Sequence, residues 1–461
     1  MSKKEYCGIF GIADHKNAVD MAYLGLYSLQ HRGEESCGIA VSDGKRIKQH
    51  TGMGLVSDVL DKSKLKGLKG KTAIGHVRYS TTGSSMLKNA QPFVIKHHKF
   101  STSIAHNGNL TNSTKLRKHL EKEGSIFQST MDSEIVLHLM VRSKEKTIEE
   151  KLVDALRKCE GAYSMIFLVD GRLIGVRDPH GFRPLCLGMK DGSYVLASET
   201  CSLDLTGAKF IREIKPGEMV IVSGKELQSK KPFKKNKGAQ CIFEFIYFAR
   251  PDSHIFEDSV YEVRKRLGRR LAEEHPVKAD IVMSIPDSGN YAALGYSEKS
   301  GIPFDYGMIR NHYVGRTFIQ PSQEMRKYGV KIKLNPIRDV LKGKSVVVVE
   351  DSIVRGTTTS SRIQALRETG VKKIHMRISC PPIKHPCFYG IDFPSEKELI
   401  ANELSVKQIA KFIGVDTLEY LSLEGMLKAV GKKSYKFCDA CFSGYYPTDV
   451  PRKMVKKKFD I

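Results

Sequence analysis

Residues Ser345–Ser361 read SVVVVEDSIVRGTTTSS, and this stretch decides how the chain is organised. Four consecutive valines, Val346 to Val349, show no alternation and are all β-branched, which predicts a parallel strand buried on both faces. Two acids follow directly, Glu350 and Asp351. Gly356 and the threonines Thr357, Thr358 and Thr359 then cap a helical stretch that Gly370 stops. A strand, an acidic turn and a helix N-terminus rich in hydroxyls suit a phosphorylated sugar, because backbone N–H groups and threonines hold phosphate while carboxylates hold ribose hydroxyls or magnesium. The lysine and flanking glycines of a Walker A loop are missing.

Working outward, the C-terminal half alternates strand and helix from about Gln240. IVMSI leads into PDSGNYAALGY, with a helix expected to end at Gly301; IPFDYGMI, the Val346 strand and KIHMRIS from Lys373 follow. That alternation predicts an α/β fold with a mostly parallel sheet and ligands at the strands' carboxyl ends. The N-terminal half differs. From Gly161 to Val222 it reads as short strands and turns, expected to form an antiparallel sheet, and GIFGI after Cys7 reads as a buried strand. At 461 residues the chain is long for one core, and two domains are expected, with the lysine-rich run near 230 between them.

Composition narrows the function classes. The formal net charge of +24 raises nucleic acid as a partner, but the densest basic runs, 230–237 and 452–458, lack interleaved aromatics and any zinc-finger or helix-turn-helix context. They read as solvated faces. No stretch has about 18 uncharged apolar residues, and MSKKEYCGIFGI lacks the apolar run of a signal peptide, so a cytoplasmic protein with no membrane partner is expected. Ten cysteines without a secretory signal argue for catalysis or metal binding rather than a disulfide framework. Cys438 and Cys441 form a CxxC, for which zinc or a redox pair are open alternatives.

The motifs carry a resemblance as well. The 350–359 stretch resembles the phosphoribosyl pyrophosphate fingerprint of type I phosphoribosyltransferases, and its SIVRGTT wording resembles that of the amidophosphoribosyltransferase family. Glu350 stands where that family commonly has aspartate. In the N-terminal half CGIFGI, LQHRGEESCGIA, GHVRYSTTG, AHNGNL and STMDSE occur in order and resemble the glutaminase domain of N-terminal-nucleophile amidotransferases. The resemblance implies an Ntn-hydrolase αββα sandwich (a class II glutamine amidotransferase) over residues 7–235, after a propeptide 1–6. A type I phosphoribosyltransferase domain follows over 236–461.

The same resemblance assigns roles. Cys7 would be the nucleophile, with its own α-amine as base once the propeptide is gone, since a free amine of pKa about 8 can take a proton and an amide cannot. Asn107 and Gly108, expected in an Asn-Gly turn, would supply the oxyanion donors. Arg32, Arg78 and Asp132 would bind glutamine. Asp287, Ser288 and Gly289 of PDSG would form the pyrophosphate loop, and Glu350, Asp351, Arg355, Gly356, Thr357, Thr358 and Thr359 the rest of the phosphoribosyl pyrophosphate site. Ser288, Glu350 and Asp351 would hold Mg2+. Tyr313, Arg316, Thr317 and Ile319 belong to a stretch, Arg310–Lys331, that resembles a flexible catalytic loop, with His312 where arginine is more usual. Cys241, Cys387, Cys438 and Cys441 resemble the ligands of a structural [4Fe-4S] cluster. RDPHGFRPL resembles glutaminase scaffold, so His180 is given no catalytic role.

The expected activity is glutamine-dependent synthesis of 5-phosphoribosylamine from phosphoribosyl pyrophosphate, opening purine synthesis. Purine nucleotides as feedback inhibitors and a homotetramer are implied by resemblance alone. A regulatory binder built on a phosphoribosyltransferase fold would not need Cys7 or Asn107, and a sugar-phosphate amidotransferase would share only the N-terminal half.

Overall fold

The structure is a computed structural model that describes residues 7–79, 85–98, 100–234, 236–311, 334–393, 396–431 and 437–451. Residues 1–6 and the segment holding His312, Tyr313, Arg316, Thr317 and Ile319 lie outside the described residues, as do Lys235 and the basic run 452–458.

Cys7 is followed at once by the strand Gly8–Ile12, buried at every position because it lies inside a sheet with a second sheet across it. The first sheet has seven strands, in spatial order Lys209–Glu213, Cys186–Lys190, Ser193–Ala197, Gly8–Ile12, Thr72–Arg78, Ser36–Ser42 and Ile47–Met53. The second has six: Glu226–Lys230, Met219–Ser223, Arg172–Arg177, Gly161–Val169, Phe100–Leu110 and Phe93–His97. Every pairing in both is antiparallel.

Ile9, Ile74, Ala105, Ile166 and Leu196 fill the space between the sheets. The helix Ala18–Ser28 packs outside the first sheet and the helices Ser133–Arg142 and Ile148–Arg157 outside the second, each over its own apolar cluster. The result is helix, sheet, sheet, helix.

The second half is built on four parallel strands, Ile281–Ser284, Ser345–Glu350, Lys373–Ile378 and Thr417–Tyr420, in that order. Val346 to Val349 are completely buried, as a strand covered on both faces requires. The helix Asn290–Ser300 ends at Gly301 in the left-handed conformation, a glycine C-cap of the expected kind. The core of this half takes in Ala162 and Phe182 from the first half, so apolar packing continues across the two.

Three local readings change. IPFDYGMI does not supply a full strand: Phe304 makes one isolated bridge to Val282, and Met308–Arg310 pairs antiparallel with Leu334–Pro336 away from the parallel sheet. Asn107 and Gly108 form no turn. They lie inside the eleven-residue strand Phe100–Leu110, opposite Ser164 and Tyr163. The N-cap of the helix Thr357–Arg367 is Gly356 rather than a threonine, at φ 75°, so the three threonines occupy the first turn.

Candidate active sites

The first candidate site is where the strands Gly8–Ile12 and Phe100–Leu110 face each other across the sandwich. Cys7 is buried and its Sγ lies 3.5 Å from the Tyr79 carbonyl oxygen. Burial pushes the thiol pKa up, with Glu35 and Asp132 adding to the rise, while the Tyr79 contact and the charge of Arg78 pull it down. A thiol held protonated in this way needs a base before it can attack.

Asn107 is completely buried, and among the described residues neither Oδ1 nor Nδ2 of its amide has a hydrogen-bond partner. Leaving an amide buried and unpaired costs about 1–3 kcal/mol, so such a group calls for a ligand. Next to it Gly108 has φ 150°, and a Cβ there would sit 2.1 Å from the Ala162 carbonyl oxygen, so only glycine fits. An Asn-Gly pair in a strand with positive φ thus places a side-chain amide and an uncovered backbone side by side.

Asp132, at the start of the helix Ser133–Arg142, accepts from Leu110 N at 2.8 Å and faces His106 Nδ1 at 3.3 Å. Burial alone would raise its pKa, but His106 and the Leu110 and Ser133 amides outweigh burial and hold it below the usual carboxylate range. His76, at the centre of the sandwich, is driven down to about 3 by burial, so it is neutral and meets the His106 carbonyl at 2.9 Å. Arg78 ends the strand beside Cys7 and its charge reaches the thiol. Arg78 and Asp132 thus act on the Cys7 thiol, while Asn107 and Gly108 lie on the strand that faces the one following Cys7.

Arg32 is placed differently from a side chain open to glutamine. Its guanidinium is buried, donates from Nε to the Cys7 carbonyl at 3.0 Å, and bonds Glu199 and both oxygens of Glu244.

The second candidate site lies at the carboxyl ends of Ile281–Ser284 and Ser345–Glu350. Asp351 Oδ2 accepts from Ser288 Oγ at 2.5 Å and Oδ1 from Ser352 Oγ at 2.6 Å. Ser288 and Asp351 thus meet although 63 residues apart. Glu350 turns towards the helix instead, pairing with Arg362 at 2.6 Å and Thr359 Oγ1 at 3.3 Å. Asp287 pairs with Arg310 at 2.5 Å, and Arg355 with Glu398 at 2.7 Å, both at the surface. Gly289, Thr357 and Thr358 stand at helix starts flanking this edge. At Gly356 a Cβ would come within 2.8 Å of Ile400 Cδ1.

The donor sets can be tested against the implied metals. Ser288 and Asp351 offer hard oxygens at the strands' carboxyl ends, and magnesium is commonly held by one or two carboxylates completed by substrate phosphates. They fit it, with Glu350 partly committed to Arg362. Cys241 and Cys438 are cross-strand partners in a short parallel pair, and Cys387 Sγ accepts from Tyr389 N at 3.3 Å. Burial raises all four thiols; neighbouring cysteine charges raise Cys241, Cys438 and Cys441 further, whereas Arg183 and backbone amides oppose the rise at Cys387. Among the described residues, however, no three His, Cys, Asp or Glu side chains gather closely enough for one metal ion. A tetrahedral zinc ion needs thiolates roughly 3.8 Å apart, whereas a cuboidal cluster binds each thiolate to a different iron and spreads them. The four thiols make a soft, all-sulfur donor set, which suits the thiolate ligation of an iron–sulfur cluster and leaves zinc open as the alternative.

Sequence reading passed over Glu199, Glu244, Arg183 and Arg362. The available signal was a single acid, Glu244, inside the apolar run CIFEFIYF, and Arg183 inside RDPHGFRPL.

Among known proteins, the chain matches the glutamine amidotransferase domain family over residues 76–204. It is 52% identical over 456 residues to amidophosphoribosyltransferase 1, chloroplastic, of Arabidopsis thaliana, covering 98% of this chain and 81% of that one. It is 47% identical over 451 residues to the amidophosphoribosyltransferase of Bacillus subtilis, covering 97% and 95% of the two chains, and 49% identical over 463 residues to that of Methanocaldococcus jannaschii, covering 96% and 98%. A solved glutamine phosphoribosylpyrophosphate amidotransferase from B. subtilis, complexed with ADP and GMP, superposes with a TM-score of 0.93 at 46% identity, covering 98% of this chain and all of that one.

Proposed function

The chain belongs to the amidophosphoribosyltransferase family, and from that premise we propose how its own residues divide the work of the reaction. The enzyme converts phosphoribosyl pyrophosphate, glutamine and water to 5-phosphoribosylamine, glutamate and pyrophosphate, in purine biosynthesis.

In the first half-reaction the Cys7 thiol attacks the glutamine side-chain amide. The S–C bond forms, and the carbonyl electrons move onto oxygen, where the Asn107 amide and the backbone at Gly108 stabilise them. The α-amine of a Cys7 freed from residues 1–6 takes the thiol proton and passes it to the leaving nitrogen. The C–N bond breaks, ammonia departs, and water hydrolyses the thioester to glutamate. Arg78 and Asp132 bear charges opposite to glutamine's α-carboxylate and α-amine.

In the second half-reaction ammonia bonds to the anomeric carbon as the bond to pyrophosphate breaks and its electron pair leaves with the pyrophosphate. The surplus proton goes to water. Ser288, Asp351 and Glu350 would hold Mg2+, which supplies neutralisation of the leaving group when bound. The helix start at Gly356–Thr359 and the 286–289 loop cradle phosphates. Cys241, Cys387, Cys438 and Cys441 would hold a [4Fe-4S] cluster that ties the C-terminal segment to the segment at 241.

The observation that supports the glutaminase assignment best is the buried Asn107 amide, unpartnered among the described residues, beside a glycine that admits no side chain. The test is Cys7→Ala: glutamine-dependent synthesis is expected to disappear while synthesis from free ammonia persists, and retained glutamate release would refute the nucleophile.

No described helix is long and apolar enough to cross a membrane. The family's nucleotide-complexed member supports purine nucleotides as regulatory ligands here, and a homotetramer in the cytoplasm completes the proposal, although plant relatives are chloroplastic.

A further inference from the structure

Between the two halves lies a buried ion network that the reaction scheme does not use. Glu244 starts the π-helical turn Glu244–Phe248, in the second half, and is completely buried. It accepts from Arg32 at 3.0 and 2.8 Å and from Arg183 Nη1 at 3.0 Å, both arginines of the first half. Arg32 in turn donates to the Cys7 carbonyl oxygen, and Arg183 donates to the Tyr389 carbonyl at 3.2 and 2.7 Å. Glu199 is the second carboxylate on Arg32 and also accepts from His31 and Ser253 at 2.8 and 2.7 Å.

A planar guanidinium with a bidentate carboxylate on one edge and a carbonyl on another has its plane fixed. The atom it holds on the far side belongs to the residue that carries the thiol. Burying such charges is costly and does not by itself favour folding over an apolar replacement, so their retention calls for a positional role.

We infer that Glu244 is a positioning residue for Cys7, acting through Arg32 to fix the Cys7 backbone and so aim its thiol and amine. This rests on Cys7 being the nucleophile. The turn that carries Glu244 has its own anchor: Arg264 donates to the carbonyls of Phe245 and Ala249 at 2.7 and 2.9 Å. The turn thus keeps the Arg264 anchor when the Glu244 charge is removed.

The experiment uses the full-length processed enzyme with Glu244→Gln. Its kcat for glutamate release is expected to fall about 10- to 100-fold, the scale of an ångström-sized misplacement. KM for glutamine stays within about twofold, since Arg78 and Asp132 are not bonded to Glu244, and ammonia-dependent synthesis stays comparable to wild type. A parallel fall in both half-reactions, or unchanged glutamate release, would overturn the inference. If Glu244→Gln does not yield folded protein, Arg32→Lys carries the same test. It keeps a charge between Glu199 and Glu244 but cannot also hold the Cys7 carbonyl through a fixed plane, and unchanged kcat there overturns the inference too. Cys7→Ala assayed alongside separates the two failures. Glutamate release by that variant sinks the nucleophile, whereas a dead Cys7→Ala with an unaffected Glu244→Gln sinks only the positioning role.

Discussion

The two candidate sites meet charge in opposite ways. Around Cys7 the groups are buried and fixed beforehand: Asn107 is sealed in with no partner among the described residues, Gly108 is locked by its backbone, and Arg32 is clamped between carboxylates. Around Asp351 the carboxylate is buried as well, but it accepts from serine hydroxyls, Ser288 and Ser352, and the flanking ion pairs Arg310–Asp287 and Arg355–Glu398 are exposed. The difference follows from the substrates. Glutamine's amide is neutral until the transition state, so its site must hold donors ready for a charge that develops late. Phosphoribosyl pyrophosphate arrives strongly charged and can bring its own counterion.

The largest expected effect tests the prebuilt side. Asn107→Ala removes an oxyanion donor, and kcat for glutamate release should fall about 10²–10³-fold while ammonia-dependent synthesis is kept. Steady-state assays with each nitrogen source decide it, and a loss in both would erase the contrast between the sites. On the other side, Asp351→Asn should lower synthesis from glutamine and from ammonia alike, by about 100-fold, because both pass through the same ribose carbon. Unchanged kinetics would remove Asp351 from the sugar or metal site.

Cys438→Ser should abolish the brown iron-sulfur absorbance and leave a protein that unfolds at lower temperature. A colourless wild type loaded with zinc would contradict the cluster. The smallest effect concerns the Cys7 thiol in protein whose residues 1–6 are still attached. Arg78 lowers its pKa against the rise caused by burial, so Arg78→Gln should raise the pKa further. Less thiolate is then present at a given pH, and alkylation by iodoacetamide near pH 8 should slow a few-fold, with its pH profile displaced upward. An unchanged profile would mean that Arg78 does not act on the thiol.

Much of this was legible in the residues. Val346 to Val349 read as a doubly covered strand because β-branched residues in an unbroken run have few other places to go, and Gly301 read as a helix stop because a left-handed cap suits glycine. Cys7, Arg78, Asn107 and Asp132 were reachable through motif order, although 125 residues separate the first from the last. Other features were hidden for physical reasons. Asn-Gly is the commonest short hairpin signal, so its placement within a strand is set by the opposing Gly161–Val169 strand rather than by the dipeptide. Glu244 sits in a run that reads as apolar core, and its value depends on Arg32 and Arg183, 212 and 61 residues away. Glu350 pairs with Arg362, the sixth residue of the following helix, and no local pattern marks that contact.

In the proposed scheme one chain joins glutamine hydrolysis to ribosylamine synthesis through two distinct sites. The most direct measurement follows glutamate and pyrophosphate together, in anaerobically purified protein shown to begin at Cys7, with glutamine, phosphoribosyl pyrophosphate and magnesium present. The account predicts equal amounts of both products, with glutamate alone abolished in Cys7→Ala supplied with ammonia. Pyrophosphate release that needs glutamine even when ammonia is abundant, or glutamate release that survives loss of the Cys7 thiol, would contradict it.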